Sequence, residues 1–415
     1  MSAKNKPRTA IVVGSGCSLR LDVPVMAGFL DKLLDRLSAA KIPYTGARSD
    51  LALIRNFISK AKGSAAYVRA DLLNIEEMYG IADMAEDLAV KKKKEGAKKV
   101  KEAFNRAIFN LAKDAGKEFL TEAKNFPEEY KDLEDLKRES QTEEPVHRNL
   151  GTRWTNLLAY LCLASFKDRD GRHPLFIQFN WDLALDRALH HWSRLSKTQY
   201  SIVKRLPWCD NSKTDGHDYQ VWPRVARPHG GINWVDNEKN AVGKNSNKVL
   251  SKSCYRVNAS RRTENNIWVN PRPVLHTDIS MIGGSWAGGQ HMAIVPPTWR
   301  KQATRIAYED QWQIIKDGLS DVRRIVFIGY SLPKTDLYFR HFLALALAEN
   351  SQLPKVYALN PSILEPGDVR DNYIDLFAPL AREGRLYGIK GRFGDPALFD
   401  LHRAIALAKP IRPNE

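Results

Sequence analysis

The chain has 415 residues, of which 43% are hydrophobic and ten are tryptophan, so it can form a large core and is not a disordered polypeptide. Its formal net charge of +16 indicates either affinity for polyanions such as nucleic acid or a basic, solvated surface, and charge alone does not separate the two. No apolar run of about 18 residues and no apolar signal-peptide region is present, so we expect a soluble cytoplasmic protein. The four cysteines include no Cys-x-x-Cys pair, which excludes a zinc ribbon and predicts reduced, mostly buried thiols.

The first predicted strand, at residues 9–13, runs into Gly14-Ser-Gly-Cys-Ser18, and a helix is predicted over residues 26–38. Dinucleotide-binding folds open with such a unit, in which glycines let the backbone approach a pyrophosphate and the helix amino terminus stabilises its charge. Leu19 occupies the place of the third glycine of the full Gly-x-Gly-x-x-Gly pattern. A tight structural turn is therefore the alternative interpretation of these glycines.

The next part of the chain is rich in Ala, Leu, Lys and Glu, with apolar residues at helical spacing. We predict a helical insert or subdomain at 50–166, between a first part of the main domain at 1–49 and its remainder at 167–415. The lysine-rich stretch at 91–101 is typical of a solvated helix face or loop. A second, irregular insertion is predicted at about 199–289, where clear periodicity is lost, with short strands expected at 220–222 and 266–269.

An apolar stretch that begins at Phe176 ends in Asn180 and Asp182, and a helix is predicted directly after it. Open α/β sheets place their ligands where buried strands deliver polar side chains at their carboxyl ends. Asn180 and Asp182 are therefore the first candidates for chemistry.

His229 lies before two glycines in the segment Arg227-Pro-His-Gly-Gly-Ile-Asn-Trp234. Little bulk would shield the side chain there, which suits a general base, although a lone histidine is more often structural.

Two further strands are predicted at 324–328 and 355–359, the first followed by Gly329-Tyr-Ser331 and the second by Asn360. Thr335 is the predicted cap of the next helix, and the basic tail from Lys409 is expected to fray. Strands that alternate with helices predict an α/β class, with a doubly wound, mainly parallel, Rossmann-like sheet and a helical insert.

Five short segments, in this order, resemble the sirtuin family, and specifically its bacterial sirtuin-like branch that lacks the zinc module. They are Gly14-Ser-Gly-Cys-Ser18, Phe179-Asn-Trp-Asp182, His229-Gly-Gly-Ile-Asn-Trp234, Pro297-Thr-Trp299 and the segment from Gly329 to Asp336. The resemblance covers roughly residues 9–362, with poor coverage of the two inserts.

The resemblance implies a sirtuin-like, NAD-binding fold. It assigns Gly14, Gly16 and Ser18 to the phosphates of the cofactor and Ser331 and Asn360 to its adenosine ribose. Gly329 is also assigned to cofactor binding. It places Asn180, Asp182 and His229 around the nicotinamide ribose.

Two departures from the sirtuin pattern bear on the substrate. Asp22-Val-Pro24 stands where sirtuins usually have Gly-Ile/Val-Pro, and the four-cysteine zinc module of the protein deacylases is missing. The missing module argues against an acyl-lysine substrate. The branch without zinc resembles effectors of bacterial antiphage defence that hydrolyse NAD to ADP-ribose and nicotinamide, which is the leading hypothesis.

The residue types suit that reaction. Nicotinamide leaves as a neutral group, so the paired carboxylates of ordinary glycosidases are not required. Asn180 could orient a water or a ribose hydroxyl, and neutral His229 could accept a proton. Asp182 could either stabilise developing positive charge or hold its loop in place.

The resemblance also implies regulation, through a homo-oligomer and through a partner such as a HerA-type ATPase or an Argonaute-like protein. Nucleic-acid contact would then be indirect, through that partner. Three alternatives stay open: a subunit that binds NAD or ADP-ribose without turnover, an NAD-dependent protein deacylase, and a structural subunit of a nucleic-acid complex. No metal and no membrane association are expected.

Overall fold

The computed structural model describes residues 8–24, 28–39, 46–65, 74–88, 91–120, 152–195, 223–237, 255–256, 266–269, 291–294, 311–334 and 336–413. The strands are β1 (Thr9–Val13), β2 (Leu175–Gln178), β3 (Arg224–Ala226), β4 (Gly230–Asn237), β5 (Tyr255–Arg256), β6 (Asn266–Val269), β7 (His291–Ile294), β8 (Arg324–Ile328), β9 (Lys355–Leu359), β10 (Leu386–Ile389) and β11 (Lys409–Pro410). The α-helices are α1 (Phe29–Ser38), α2 (Ala47–Ala65), α3 (Ile75–Leu88), α4 (Lys91–Ala112), α5 (Thr152–Ala164), α6 (Ala184–Leu195), α7 (residues 311–319), α8 (Leu337–Ala348), α9 (Asp368–Leu376), α10 (Ala378–Arg382) and α11 (Leu401–Ala406). Short 3₁₀ turns lie at Ser15–Cys17, Leu19–Leu21, Lys117–Leu120 and Pro396–Leu398.

A seven-stranded sheet forms the centre of the fold, in the order β11-β10-β9-β8-β1-β2-β3. All neighbouring pairs are parallel except β10 with β11, which is antiparallel. The prediction of an α/β fold with a mainly parallel sheet is confirmed, and the architecture is compatible with a Rossmann-like fold. The four strands predicted near residues 9, 175, 324 and 355 are β1, β2, β8 and β9.

The order of the strands reverses beside β1. From β1 the chain builds outwards through β2 and β3, and it returns to the other side of β1 for β8, β9 and β10. The junction of β1 and β8 is thus the topological switch point, and the crevice outside the carboxyl ends of the strands at such a point is where α/β sheets bind ligands.

The central strands are apolar because helices cover both faces of a parallel sheet. All five residues of β1, Thr-Ala-Ile-Val-Val, are buried, as are all four of β2. The helical region predicted at 50–166 contributes to the same contiguous core: Phe104, Ile108 and Phe119 are fully buried members of it. The two regions are therefore joined by shared apolar burial.

A second sheet is antiparallel, with the order β5-β6-β4-β7. Its first three strands in the chain fall within the predicted irregular insertion, and the strand expected at Asn266–Val269 is confirmed as β6. The strand expected at 220–222 lies outside the described residues, and the described chain resumes just before β3.

The predicted frayed tail was wrong. The tail pairs as β11 with β10, Ile411 is buried, and the Arg370 guanidinium donates a hydrogen bond to the Arg412 carbonyl oxygen at 2.9 Å. Ile411 is an apolar residue within an otherwise basic tail, and its burial together with the backbone pairing holds the tail in place.

The predicted cap of α8 also needs correction. The capping residue is Asp336, whose carboxylate accepts a hydrogen bond from the Phe339 amide at 3.2 Å. Thr335, the predicted cap, lies outside the described residues. A search of the described residues found no helix with the length and apolar character needed to cross a membrane.

Candidate functional site

The nine candidate residues all follow the carboxyl ends of parallel strands. Those from Gly14 to Ser18 follow β1, Asn180 and Asp182 follow β2, His229 follows β3, Gly329 and Ser331 follow β8, and Asn360 follows β9. Because the strands are parallel, these ends meet at one side of the sheet, here called the carboxyl edge. The fold therefore collects residues up to 346 positions apart in the chain at a single edge.

Three glycines fill the switch point by close packing. A Cβ built on Gly14 would lie 2.6 Å from the Gly329 carbonyl oxygen, and one on Gly16 would lie 2.9 Å from the Gly329 Cα. Gly329 itself has φ +60° and leaves no room for a Cβ, which would meet the Cys17 amide nitrogen at 2.6 Å. These contacts require glycine for backbone packing, which is the structural-turn interpretation of the motif.

The amides of this turn are bonded within the protein. Gly16 donates to the Gly329 carbonyl oxygen at 2.8 Å, Cys17 to that of Gly14 at 3.0 Å, and Ser18 to that of Ser15 at 3.1 Å. The turn is consequently rigid, and a phosphate would meet a preformed backbone surface at this point.

Asn180 lies at the centre of the carboxyl edge. Its Nδ2 donates to the Gly14 carbonyl oxygen at 2.9 Å and to the Ser18 hydroxyl at 3.1 Å. Its Oδ1 is buried and has no hydrogen-bond partner among the described residues. A buried carbonyl oxygen without a partner costs about 1–3 kcal/mol, so this atom is poised to accept a hydrogen bond from a bound hydroxyl or water.

Ser18, Tyr160, Asn180 and Asp182 form what we call the buried polar cluster. The hydroxyls of Ser18 and Tyr160 are 2.8 Å apart, and the Ser18 hydroxyl lies close enough to Asp182 to lower the pKa of that carboxyl. Burial raises the pKa of Tyr160 well above its ordinary value, and the nearby Asp182 charge raises it further, so the phenol stays protonated. The cluster holds the Asn180 amide in one orientation.

Asp182 caps helix α6, since its Oδ1 accepts a hydrogen bond from the Ala184 amide at 2.9 Å. Burial raises its pKa above 3.8, although the Ala184 amide, the Ser18 hydroxyl and the nearby guanidinium groups of Arg227 and Arg187 oppose that shift. The observed contacts are those expected if the residue holds its loop.

Arg227 is a buried cation that braces the same loop. It donates to the carbonyl oxygens of Asn180 at 3.2 Å and Asp182 at 3.1 Å, and it forms an ion pair with Asp186. Burial lowers its pKa to about 10, so the guanidinium remains charged at neutral pH. It thus fixes the backbone from which Asn180 and Asp182 project.

His229 lies in the turn between β3 and β4, which closes with a hydrogen bond from the Gly230 amide to the Arg227 carbonyl oxygen at 3.0 Å. The imidazole is 3% exposed and packs edge-on against the Phe179 ring, with centroids 4.7 Å apart. Its Nε2 is 3.9 Å from Asp336 Oδ2, a carboxylate that also accepts from the Tyr330 hydroxyl at 2.8 Å. A protonated His229 would be stabilised by this carboxylate.

Ser331 and Asn360 are further from the buried polar cluster along the sheet. Ser331 is exposed, and its carbonyl oxygen accepts from Asn372 at 3.4 Å. The Asn360 side chain accepts from the Ser362 amide at 3.0 Å, which shapes its own turn. Both lie at the carboxyl edge, yet their hydrogen bonds go to neighbouring protein groups. Residues 297–299, of the fourth resembling segment, lie outside the described part of the chain.

Sequence reasoning missed three residues that organise the edge: Tyr160, Arg227 and Asp336. Arg227 and Asp336 stand within segments that were singled out, Arg227 in the segment of His229 and Asp336 at the end of the segment from Gly329, so their membership of these segments was a usable signal. Tyr160 lies on α5, where a buried helical pattern gives no indication of contact with Ser18. The two described cysteines, Cys17 and Cys162, are free and buried as expected.

No group of three or more His, Cys, Asp or Glu side chains in the described part of the chain is placed to hold a metal ion. A scan against protein-family models and a search of curated proteins each found no match to this chain.

Proposed function

We propose that this protein hydrolyses NAD⁺ at the bond between nicotinamide and ribose, releasing ADP-ribose, and that it acts as an effector of antiphage defence by depleting NAD. The observation that carries the proposal is the buried Oδ1 of Asn180, which has no hydrogen-bond partner among the described residues. It lies at the switch point of the sheet, and the neighbouring residue Phe179 packs on His229. An oxygen so placed suits a ribose hydroxyl or the attacking water.

The proposed chemistry needs stabilisation of a cationic sugar and a positioned nucleophile. Bond cleavage passes through an oxocarbenium-like transition state, and nicotinamide leaves without protonation. Asn180 Oδ1 accepts a hydrogen bond from the water or the ribose hydroxyl, and neutral His229 takes the proton that water loses.

The imidazolium formed in this way lies next to Asp336, at 3.9 Å. A buried carboxylate stabilises the charged histidine and holds the orientation of its ring, as an acidic partner does for other catalytic histidines. Asp182 adds negative potential near the same loop, or acts solely as the cap of α6.

The proposed position of NAD follows the switch point. Its pyrophosphate would lie at Gly14, Gly16 and Ser18, with Gly329 beneath, and its adenosine would extend towards Ser331 and Asn360. A dinucleotide laid across the ends of β1, β8 and β9 would follow the usual direction in doubly wound sheets. In the same proposal the protein works as a homo-oligomer with a regulatory partner, of the HerA-type ATPase or Argonaute-like kind.

The test is incubation of the purified full chain with NAD⁺, alone and with its partner, followed by chromatography of nicotinamide and ADP-ribose. Asn180→Ala and His229→Ala are each expected to lower the rate at least 100-fold, since each removes a group that acts in the transition state. Asn56→Ala and His341→Ala, at exposed positions on α2 and α8, are the matched controls and should retain activity.

Unchanged nicotinamide release by either site variant removes that residue from the mechanism. Calorimetric binding of NAD⁺ without any product, even with the partner present, would instead establish a binding subunit. Deacylation of an acylated peptide that depends on NAD⁺ would establish a deacylase.

A further inference from the structure

The opposite side of the parallel sheet, where the amino ends of its strands meet, carries an open groove of about 640 Å³. We call it the amino-edge groove. Its basic lining residues are Arg8, Arg169, Arg323, Arg324, Lys355 and Arg385, and its acidic ones are Asp168 and Asp170. Eight of its eleven lining residues are therefore charged, with a surplus of four positive charges.

The two carboxylates are already used by part of this set. Asp170 pairs with Arg8 at 2.9 Å, and Asp168 pairs with Arg324 and accepts from the Thr9 hydroxyl at 2.6 Å. The other four cations, Arg169, Arg323, Lys355 and Arg385, have no carboxylate partner among the described residues.

The cations lie in a row fixed by the sheet. The Arg323 amide donates to the Arg8 carbonyl oxygen at 2.8 Å, the Lys355 amide to that of Arg323 at 2.9 Å, and the Val356 amide to that of Arg385 at 2.9 Å. Arg8, Arg323 and Arg385 immediately precede β1, β8 and β10, and Lys355 begins β9, so the four residues lie at the amino ends of four adjacent strands.

The length of this row suits an extended polyanion. Adjacent strands lie roughly 4.8 Å apart, so the row spans about 14 Å. A single phosphate would engage only one or two of these residues. A nucleic-acid strand carries one phosphate for roughly every 3.4 Å of helix axis, so the row can contact several successive phosphates.

The groove offers phosphate contacts and little for bases. Its one aromatic lining residue, Tyr357, is 6% exposed and stacks on Tyr387 with ring centroids 5.0 Å apart. Lys355 lies over the Tyr387 ring, with its Nζ 5.6 Å from the centroid. Since no base can stack on a covered ring, contact here would be to the sugar–phosphate backbone and independent of sequence.

We propose that the amino-edge groove binds the phosphate backbone of nucleic acid directly and without sequence preference. The proposal does not depend on NAD hydrolysis, because the groove and the candidate site lie at opposite edges of the sheet. The net charge of +16 did not show whether the chain binds polyanions, and the proposal assigns such binding to this groove.

The experiment measures fluorescence anisotropy of labelled 20-nucleotide single-stranded DNA, the corresponding duplex and the corresponding RNA with the full chain, at several salt concentrations and without NAD. The test variant is the double substitution Arg323→Glu/Lys355→Glu. Its control is Lys60→Glu/Lys390→Glu, which changes the net charge by the same amount at exposed positions outside the groove. Thermal unfolding of each variant verifies folding, and Arg323→Ala/Lys355→Ala serves as a milder test pair.

The groove variant is expected to lose at least tenfold in affinity. The slope of log K against log salt should become shallower by roughly 1.8 on the duplex or 1.4 on a single strand, because two phosphate contacts are lost. The control should stay within twofold of the native chain.

Equal losses of affinity in the groove variant and the control would overturn the proposal, because they would show that binding depends on net charge alone. Absence of binding by the native chain would also overturn it. Complete competition by polyglutamate at equal charge would assign the groove to acidic proteins instead.

Discussion

The two edges of one parallel sheet have opposite physical characters. At the carboxyl edge the candidate catalytic side chains are buried: Asn180, Asp182 and His229 are each no more than 3% exposed, and most of their hydrogen bonds are made within the protein. At the amino edge, charged side chains such as Arg169 and Lys355 face solvent.

This difference determines what each edge can do. Charges and dipoles held in a buried site act strongly at short range and cost little reorganisation, which suits chemistry on one bound molecule. Charges in water are screened within about 8–10 Å and act through their number, which suits a polyanion. The following predictions test the contrast.

The largest effect is expected for Gly329→Ala at the carboxyl edge. The new Cβ would occupy a left-handed conformation at φ +60° and lie 2.6 Å from the Cys17 amide nitrogen. We expect a loss of about 3–5 kcal/mol in the free energy of unfolding, from strain and overpacking together.

The matched control is Gly384→Ala at the amino edge, where φ is +67° and no atom lies within 4 Å of the added Cβ. It should lose only about 1–2 kcal/mol, the cost of the left-handed backbone alone. Urea denaturation measures both. Equal losses would mean that close packing at the switch point contributes nothing.

The second effect is a loss of stability at acid pH that arises from His173, a buried residue just before β2. Burial, and to a lesser degree Lys167, lowers its pKa from 6.5 to about 4. The folded state therefore holds the neutral form, and this contribution to stability is lost as the pH falls through 6.5 towards 4.

Between pH 7 and pH 5 the native chain should lose about 2 kcal/mol more stability than His173→Gln, which cannot take up the proton. Urea denaturation at the two pH values measures the difference. Parallel losses in the two proteins would show that His173 does not contribute to the acid sensitivity.

The third effect is on the rate of NAD hydrolysis at the carboxyl edge, and it rests on the proposed function. Asp336→Asn keeps an acceptor oxygen for the Phe339 amide, and its NH₂ group can donate to the Tyr330 hydroxyl oxygen, but it removes the charge 3.9 Å from His229. We expect kcat to fall about tenfold with KM and thermal stability unchanged, because only the charged transition state loses a partner.

Steady-state kinetics and a melting curve measure these quantities. A fall in stability with unchanged kcat would make Asp336 only a helix cap.

The smallest effect is expected for Asp182→Asn, whose amide oxygen can still cap α6. Burial raises the pKa of Asp182, so the folded state disfavours its charged form and stability is lost as the pH rises above 3.8. The variant should therefore match or exceed the native stability by less than about 1 kcal/mol near neutral pH.

Asp400→Asn, at the partly exposed cap of α11, is the control and should change the stability little near neutral pH, because its amide oxygen can still accept from the Arg403 amide. Activity of Asp182→Asn separates the two roles of this residue. Retained NAD hydrolysis indicates a loop-holding role, and loss of activity with intact stability indicates electrostatic catalysis.

The four central strands and the helices that follow them were well predicted from the sequence, because buried parallel strands form continuous apolar runs that end in polar residues. Asn180 was identifiable by its position after such a run, and His229 by the two glycines that follow it. The partners of these residues were less visible. Tyr160 contacts Ser18 from a helix 142 residues away, and nothing in a helical apolar pattern signals such a contact. Ile411 shows the same limit, since one apolar residue in a basic tail gains its meaning only from the β10 strand beside it.

The sequence by itself determined the class of fold and the polar residues at the ends of its strands, because local periodicity and turn chemistry depend on neighbours in the chain. Only the tertiary structure decided which of those residues meet. Gly14 and Gly329 pack together because β1 lies next to β8, and the same strand order places a row of cations at the other edge. Strand order is set by long-range burial and chain crossover, for which no local pattern in the sequence provides a signal.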